Sequence, residues 1–85
     1  MDNKDTILET IASIVTTVTG KKVSTDYLIN SSDPMYWIIS DSVKALQFVV
    51  LLEEEFEIEF DDDEIDFDFF SKTEQLVDCI FNHLN

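Results

Sequence analysis

Three stretches of the chain repeat apolar residues at steps of three and four, the spacing of one helix face. The first runs from about Asp5 to Val18, with Ile7, Leu8, Ile11, Ile14, Val15 and Val18 on one stripe. Asp5 or Thr6 is placed to cap it, and Thr6 with Glu9 has capping-box spacing. The β-branched run Thr16 to Thr19 weakens the last turn, and Gly20, the only glycine, is placed to end it. The second stretch runs from Asp41 to Phe56. It repeats Val43, Leu46, Val49 or Val50, Leu52 and Phe56 with no Gly or Pro inside. Asp41 or Ser42 can cap its free N–H groups. Phe48 to Leu52 are all apolar, which is too wide for one stripe. Such a helix lies deep in a core or keeps an apolar strip for a partner. The third stretch begins at Ser71, where Ser71 and Glu74 have capping-box spacing, and carries Leu76, Val77, Ile80, Phe81 and Leu84.

The segments between these helices read differently. From Lys21 to Ser40 the chain reads as a long loop, rich in turn residues at Ser24 to Asp26 and Asn30 to Pro34. Ser32 and Asp33, ahead of Pro34, are expected to be extended or turned rather than helical. Tyr27, Leu28 and Ile29, with part of Met35 to Ile39, pin the loop to the core, and a short strand or helical turn fits within it. Glu57 to Phe60 alternates like a strand. A lone four-residue strand has no partner, so a connector with Ile58 or Phe60 turned inward is the better reading.

Charge narrows the partners. The net charge is −14 over 85 residues, which argues against nucleic acid and anionic membranes and favours basic protein surfaces. The apolar share of 45% is enough for one small folded domain, spanning 1–85. No apolar run approaches the ~18 residues of a membrane span. The N-terminus lacks a signal-peptide pattern, and the single Cys79 suits a reducing cytoplasm.

Candidate chemistry is sparse. Eleven of the nineteen acids lie between Glu53 and Asp68, yet Asp61 to Glu64 lack the spaced acids and central glycine of a calcium loop. Loose screening by divalent cations suits them better, and no metal site is assigned. Paired catalytic carboxylates lack a cleft, a histidine and a nucleophile to work with. Cys79 reads as a small, partly buried flank of the last stripe. His83 sits in the last turn, where a cation suits the helix dipole, and no sequence neighbour completes a triad or metal set.

Asp41 to Phe56 carries the specific signal. An Asp-Ser-apolar triplet opens it and Glu53-Glu54-Glu55-Phe56 closes it. The stretch resembles the second helix of acyl carrier proteins, and the likeness extends along nearly the whole chain. Ile39 departs from it, standing where the family commonly has a glycine and removing freedom for positive φ there. Lys44, a cation in the first turn, is a second departure and opposes the dipole slightly.

The resemblance implies an all-α fold: a small four-helix bundle with three longer helices and a short third one, near Asp62 to Phe67, before the last. It also explains a loop of about 20 residues between the first two helices, a length uncommon in compact domains. It implies a carrier rather than an enzyme. Ser42, with Asp41 beside it, would take 4′-phosphopantetheine from a phosphopantetheinyl transferase. The phosphodiester would face the positive end of the helix. The arm would hold acyl groups as thioesters and deliver them to acyl-transferring or condensing enzymes of fatty-acid, polyketide or related synthesis. The core could shelter an apolar acyl chain. By position, Val43, Leu46 and Val50 would be apolar partner contacts, and Gln47, Glu53 and Glu54 polar or acidic ones. Phe48, Val49, Leu52 and Phe56 would face inward. A peptidyl, aryl or D-alanyl carrier, or an acidic interaction domain with no prosthetic group, stands as the alternative. A chain that starts with Met and ends just past its last helix is expected to be a discrete protein, and a highly charged small domain a monomer.

Overall fold

The computed structural model describes residues 3–84, and every regular element among them is helical. Helix α1 spans Lys4–Thr19 and buries Ile7, Ile11, Ala12, Ile14 and Val15, the face marked by their spacing. Its cap is neither Asp5 nor Thr6. Asn3 takes that place, accepting the Thr6 N–H at 2.8 Å on its side-chain oxygen. The helix therefore starts one residue early, and Asp5 becomes a first-turn acid facing the positive end. Gly20 ends the helix in the left-handed region at φ 74°, its N–H bonded to the Thr16 carbonyl at 2.9 Å.

The connection from Lys21 to Ser40 is long but folded. It holds α2, Thr25–Asn30, and α3, Asp33–Ile39. Ser24 caps α2 by accepting the Tyr27 N–H at 3.1 Å. The expectation holds for Ser32, which bends ahead of the helix at φ −86°, ψ −5°, and fails for Asp33, which is already helical. Pro34 lies in the first turn, where its missing N–H has no helical partner to lose, so it starts a helix instead of blocking one. Helices this short are marginal alone. Leu28, Met35 and Ile38 are almost wholly buried, and their packing on the larger helices holds these turns in place.

Helix α4, Ser42–Phe56, leaves α3 at 109°. Among the described residues no single helix is long and apolar enough to cross a membrane; α3 and α4 reach that length only as a bent pair. The chain leaves α4 through Glu57 at φ 55°, with the N–H groups of Glu57 and Ile58 both on the Glu53 carbonyl. Glu57 to Phe60 is a connector, as expected, with Phe60 buried and Ile58 half-buried. The short helical region comes in two pieces, a turn inside the expected stretch and a second helix that starts at its end. A 3-10 turn covers Asp62–Glu64, and α5 covers Phe67–Ser71. The last helix, α6, is Thr73–Leu84. It begins two residues later than the Ser71–Glu74 spacing suggests, because Ser71 closes α5 and turns its hydroxyl inward. The Thr73 hydroxyl donates to the Leu28 carbonyl at 3.3 Å, tying α6 to α2.

Helix α1 packs on α3, α4 and α6, and α5 bridges α3 to α6. The core they share is closed by Phe48 and Leu52 of α4 and by Leu76 and Ile80 of α6, all at 0% exposure. This is a small all-α bundle. The burial of one side of α4 leaves its first turn and opposite side at the surface.

Candidate functional site

Asp41 and Ser42 were equal candidates for the cap of the second long helix; the fold assigns the work to Asp41. Its backbone is extended, at φ −134°, and its Oδ1 accepts the N–H groups of Val43 at 3.0 Å and Lys44 at 3.3 Å. These backbone bonds, that from Lys44 first, hold the Asp41 carboxyl below its ordinary pKa. Lys44 Nζ stands 3.4 Å from Asp41 Oδ2, so the lysine that opposes the dipole is matched by the cap itself. Ser42 is thereby released to be the first helical residue. It is exposed, and among the described residues nothing hydrogen-bonds its hydroxyl.

The approach to Ser42 makes no use of a glycine. Ile39 is helical and half-buried, Ser40 has φ −75°, and the positive-φ residues in the described chain are Gly20 and Glu57. A bend built from ordinary backbone carries α3 into α4, with the Asp41 N–H on the Ile38 carbonyl at 3.2 Å.

The apolar residues of α4 divide by face. Phe48, Val49, Leu52 and Phe56 are buried. Val43, Leu46 and Val50 are 63%, 66% and 40% exposed, so a strip of apolar surface runs along the helix from beside Ser42. Leu46, Gln47, Val50 and Leu51 meet Thr17 and Val18 of α1 along a shallow groove. Glu54 is exposed, as a partner contact requires. Glu53 is not equivalent: it is half-buried, and its Oε2 accepts the Phe60 N–H at 2.9 Å, pinning the connector after α4. Sequence spacing could not show this tie. Removing it strands a partly buried N–H, so Glu53→Ala should lower unfolding free energy by about 1–3 kcal/mol in urea titration, with Glu54→Ala within about 0.5 kcal/mol of the parent.

The family model for phosphopantetheine attachment sites matches residues 9–80, from the middle of α1 to near the end of α6. The chain belongs to the phosphopantetheine-attachment family. No curated protein and no solved structure gives a match. Its family makes it a carrier protein bearing covalent 4′-phosphopantetheine, which meets a phosphopantetheinyl transferase and the enzymes that load and unload the arm. The residues fit that group. A phosphodiester linkage needs an accessible hydroxyl, and an anion is favoured at the positive end of a long helix. The carrier's exposed Ser42, the first of fifteen helical residues, offers both.

A second cluster is built between the 3-10 turn and α6. Cys79 and His83 stand four residues apart on one face of α6, and the 3-10 turn brings Glu64 to both. Cys79 Sγ donates to Glu64 Oε2 at 3.1 Å, and His83 Nε2 lies 3.0 and 2.9 Å from the two Glu64 oxygens. Glu64 Oε1 also accepts the Asp61 N–H at 2.8 Å. That bond is the main reason the Glu64 carboxyl sits below its ordinary value, with the Cys79 S–H second. Burial first, then the Glu64 carboxylate, pushes the Cys79 thiol up to about 12. A thiol so far from its thiolate is a poor nucleophile. Cys79 is half-buried, as its place beside the apolar stripe suggested. The pairing of Cys79 with His83 was visible as a spacing; the arrival of Glu64, fifteen and nineteen positions away, was not.

Proposed function

We propose that Ser42 is the attachment point of the 4′-phosphopantetheine arm and that the protein is an acyl carrier in fatty-acid, polyketide or related synthesis. One observation carries the reading: Ser42 joins an unbonded, exposed hydroxyl to the start of a long helix with an apolar strip beside it. The other six serines fit less well. Ser24 and Ser31 spend their hydroxyls on backbone N–H groups, Ser40 donates to the Trp37 carbonyl, and Ser71 is turned inward. Ser13 lies inside α1, and Ser32 precedes a helix of only seven residues.

The arm, once attached, supplies a thiol that holds an acyl group as a thioester. The chain's own residues present it. Asp41 stays ionised on the first N–H groups of α4 and holds the helix start in one geometry. Val43, Leu46 and Val50 give partners an apolar landing next to the arm, with Gln47 and Glu54 at its edge. Glu53 belongs to that edge by position, with part of its carboxylate committed to Phe60. A net charge of −14 favours partners with basic surfaces and suits a free-standing acyl carrier. The same reading makes the protein a non-catalytic monomer of the cytoplasm that does not bind nucleic acid or membranes. An acyl chain sheltered in the core would have to part helices that now pack closely.

Intact-mass measurement after incubation with coenzyme A and a transferase tests the attachment. The docking face has a separate test. Glu54→Lys should slow loading about fivefold at low salt, the gap should narrow as salt rises, and the melting temperature should stay put. Equal rates at low salt would remove Glu54 from the docking face. Glu53 is left unchanged in that test because its substitution also loosens the connector.

A further inference from the structure

We propose that Glu64, Cys79 and His83 form a transition-metal site suited to Zn²⁺, with a fourth position open to water. Three different ligand types converge there. The His83 ring nitrogen, the Cys79 sulfur and a Glu64 oxygen all lie within 4.8 Å of one another. Zinc bonds of about 2.0–2.3 Å at tetrahedral angles place ligand atoms roughly 3.3–3.7 Å apart. The separations of 2.9 Å for nitrogen to oxygen and 3.1 Å for sulfur to oxygen need to widen by a few tenths of an ångström, and the nitrogen and sulfur, within 4.8 Å, need to adjust by no more than about 1–1.5 Å.

The ligands are also oriented. Cys79 and His83 sit on successive turns of α6, so the helix sets their separation. Glu64 is held by the Asp61 N–H, the outer-shell bond that positions a ligating carboxylate. The Phe60 ring stands edge-on to the His83 ring, with centroids 5.3 Å apart, and limits its rotation. The cluster opens on a surface pocket edged by Gln75, Asp78 and Asn82, which gives an ion and its remaining water a way in. The charge of the whole chain raises the local concentration of cations.

The donor set selects the ion. Thiolate and imidazole favour zinc and its neighbours, while Mg²⁺ and Ca²⁺ prefer oxygen ligands throughout. Binding swaps hydrogen bonds for metal bonds. The Cys79 S–H bond breaks, its electron pair bonds the metal, and one proton passes to the buffer. His83 binds through Nε2 as neutral imidazole. No oxidant or reductant takes part. The ion would clamp the segment after α4 to the last helix, at a site separate from Ser42.

Cobalt(II) titration of the unmodified chain tests this, since Cys79 is then its only thiol. Excess Mg²⁺ is included to occupy the surface acids. The expected result is tetrahedral cobalt absorption with a thiolate-to-cobalt charge-transfer band, lost when Zn²⁺ is added. Cys79→Ser should abolish the charge-transfer band. His83→Gln should weaken cobalt binding at least about tenfold, the lower bound set by the loss of an outer-shell partner. His83 is exposed, so that variant reports even if Cys79→Ser proves poorly folded by circular dichroism. A wild-type titration with no charge-transfer band overturns the proposal. So does cobalt binding of equal strength in His83→Gln, because His83 is then no ligand of the ion. Loss of loading at Ser42 would leave this result untouched.

Discussion

Offered coenzyme A and a broad-specificity phosphopantetheinyl transferase, the wild-type protein should gain one phosphopantetheine, and Ser42→Ala should gain none. The expected effect is complete because the hydroxyl oxygen is the atom that forms the new phosphodiester bond. Its removal should scarcely touch the fold. Ser42 is exposed, and the first turn is capped by Asp41, so unfolding free energy should change by no more than about 0.5 kcal/mol. Ser40→Ala should load normally, since that hydroxyl is bonded to the Trp37 carbonyl at 3.2 Å and lies outside α4. Intact mass and a urea titration on the same samples separate loss of the acceptor from loss of the domain. A folded Ser42→Ala protein that still acquires the arm would move the attachment elsewhere and undo the reading of α4.

Phe48→Ala should cost about 3–5 kcal/mol of stability, the range for deleting a buried aromatic ring. Phe48 is at 0% exposure, on the opposite face of α4 from Leu46, and its ring lies 6.4 Å from that of Phe70. The cavity would open where α4 meets the core under the docking face. Small domains have roughly 5–15 kcal/mol in all, with little to spare at this size. Much of the Phe48→Ala protein should therefore unfold at modest urea, and its loading should fall with the folded fraction. Leu46→Ala is the contrast on the same helix. Leu46 is 66% exposed, so stability should hold within about 0.5 kcal/mol while partner reactions slow. A cost below about 1 kcal/mol at Phe48 would mean that α4 is not anchored through this ring.

Helix existence was legible wherever a stripe was long. Ile7 to Val18 and Leu76 to Leu84 bury the faces their spacing marked, whereas from Val43 to Phe56 the buried set is Phe48, Val49, Leu52 and Phe56, and Val43 and Leu46 of the stripe stay exposed. Helix ends were less legible, because a cap is a competition between neighbours. Asn3 displaced Asp5 and Thr6, and α5 drew in Ser71 before α6 could use it. The turns in α2 and α3 were hidden for another reason. Their local composition is that of a loop, and their helices exist because Leu28, Met35 and Ile38 reach a core built by distant residues. The departure at Ile39 proved compatible with the bend before Ser42, which uses no left-handed residue.

Spacing and composition alone therefore determined that the protein is helical, acidic and headed at its central helix by an Asp-Ser pair, because period and charge are properties of neighbouring positions. Three matters waited on the tertiary structure. Asp41 rather than Ser42 caps α4, Glu53 is tied to Phe60, and Glu64 meets Cys79 and His83. Each depends on which of several chemically able groups arrives within about 3 Å of another. That distance is set by the packing of the whole chain, not by the residues on either side.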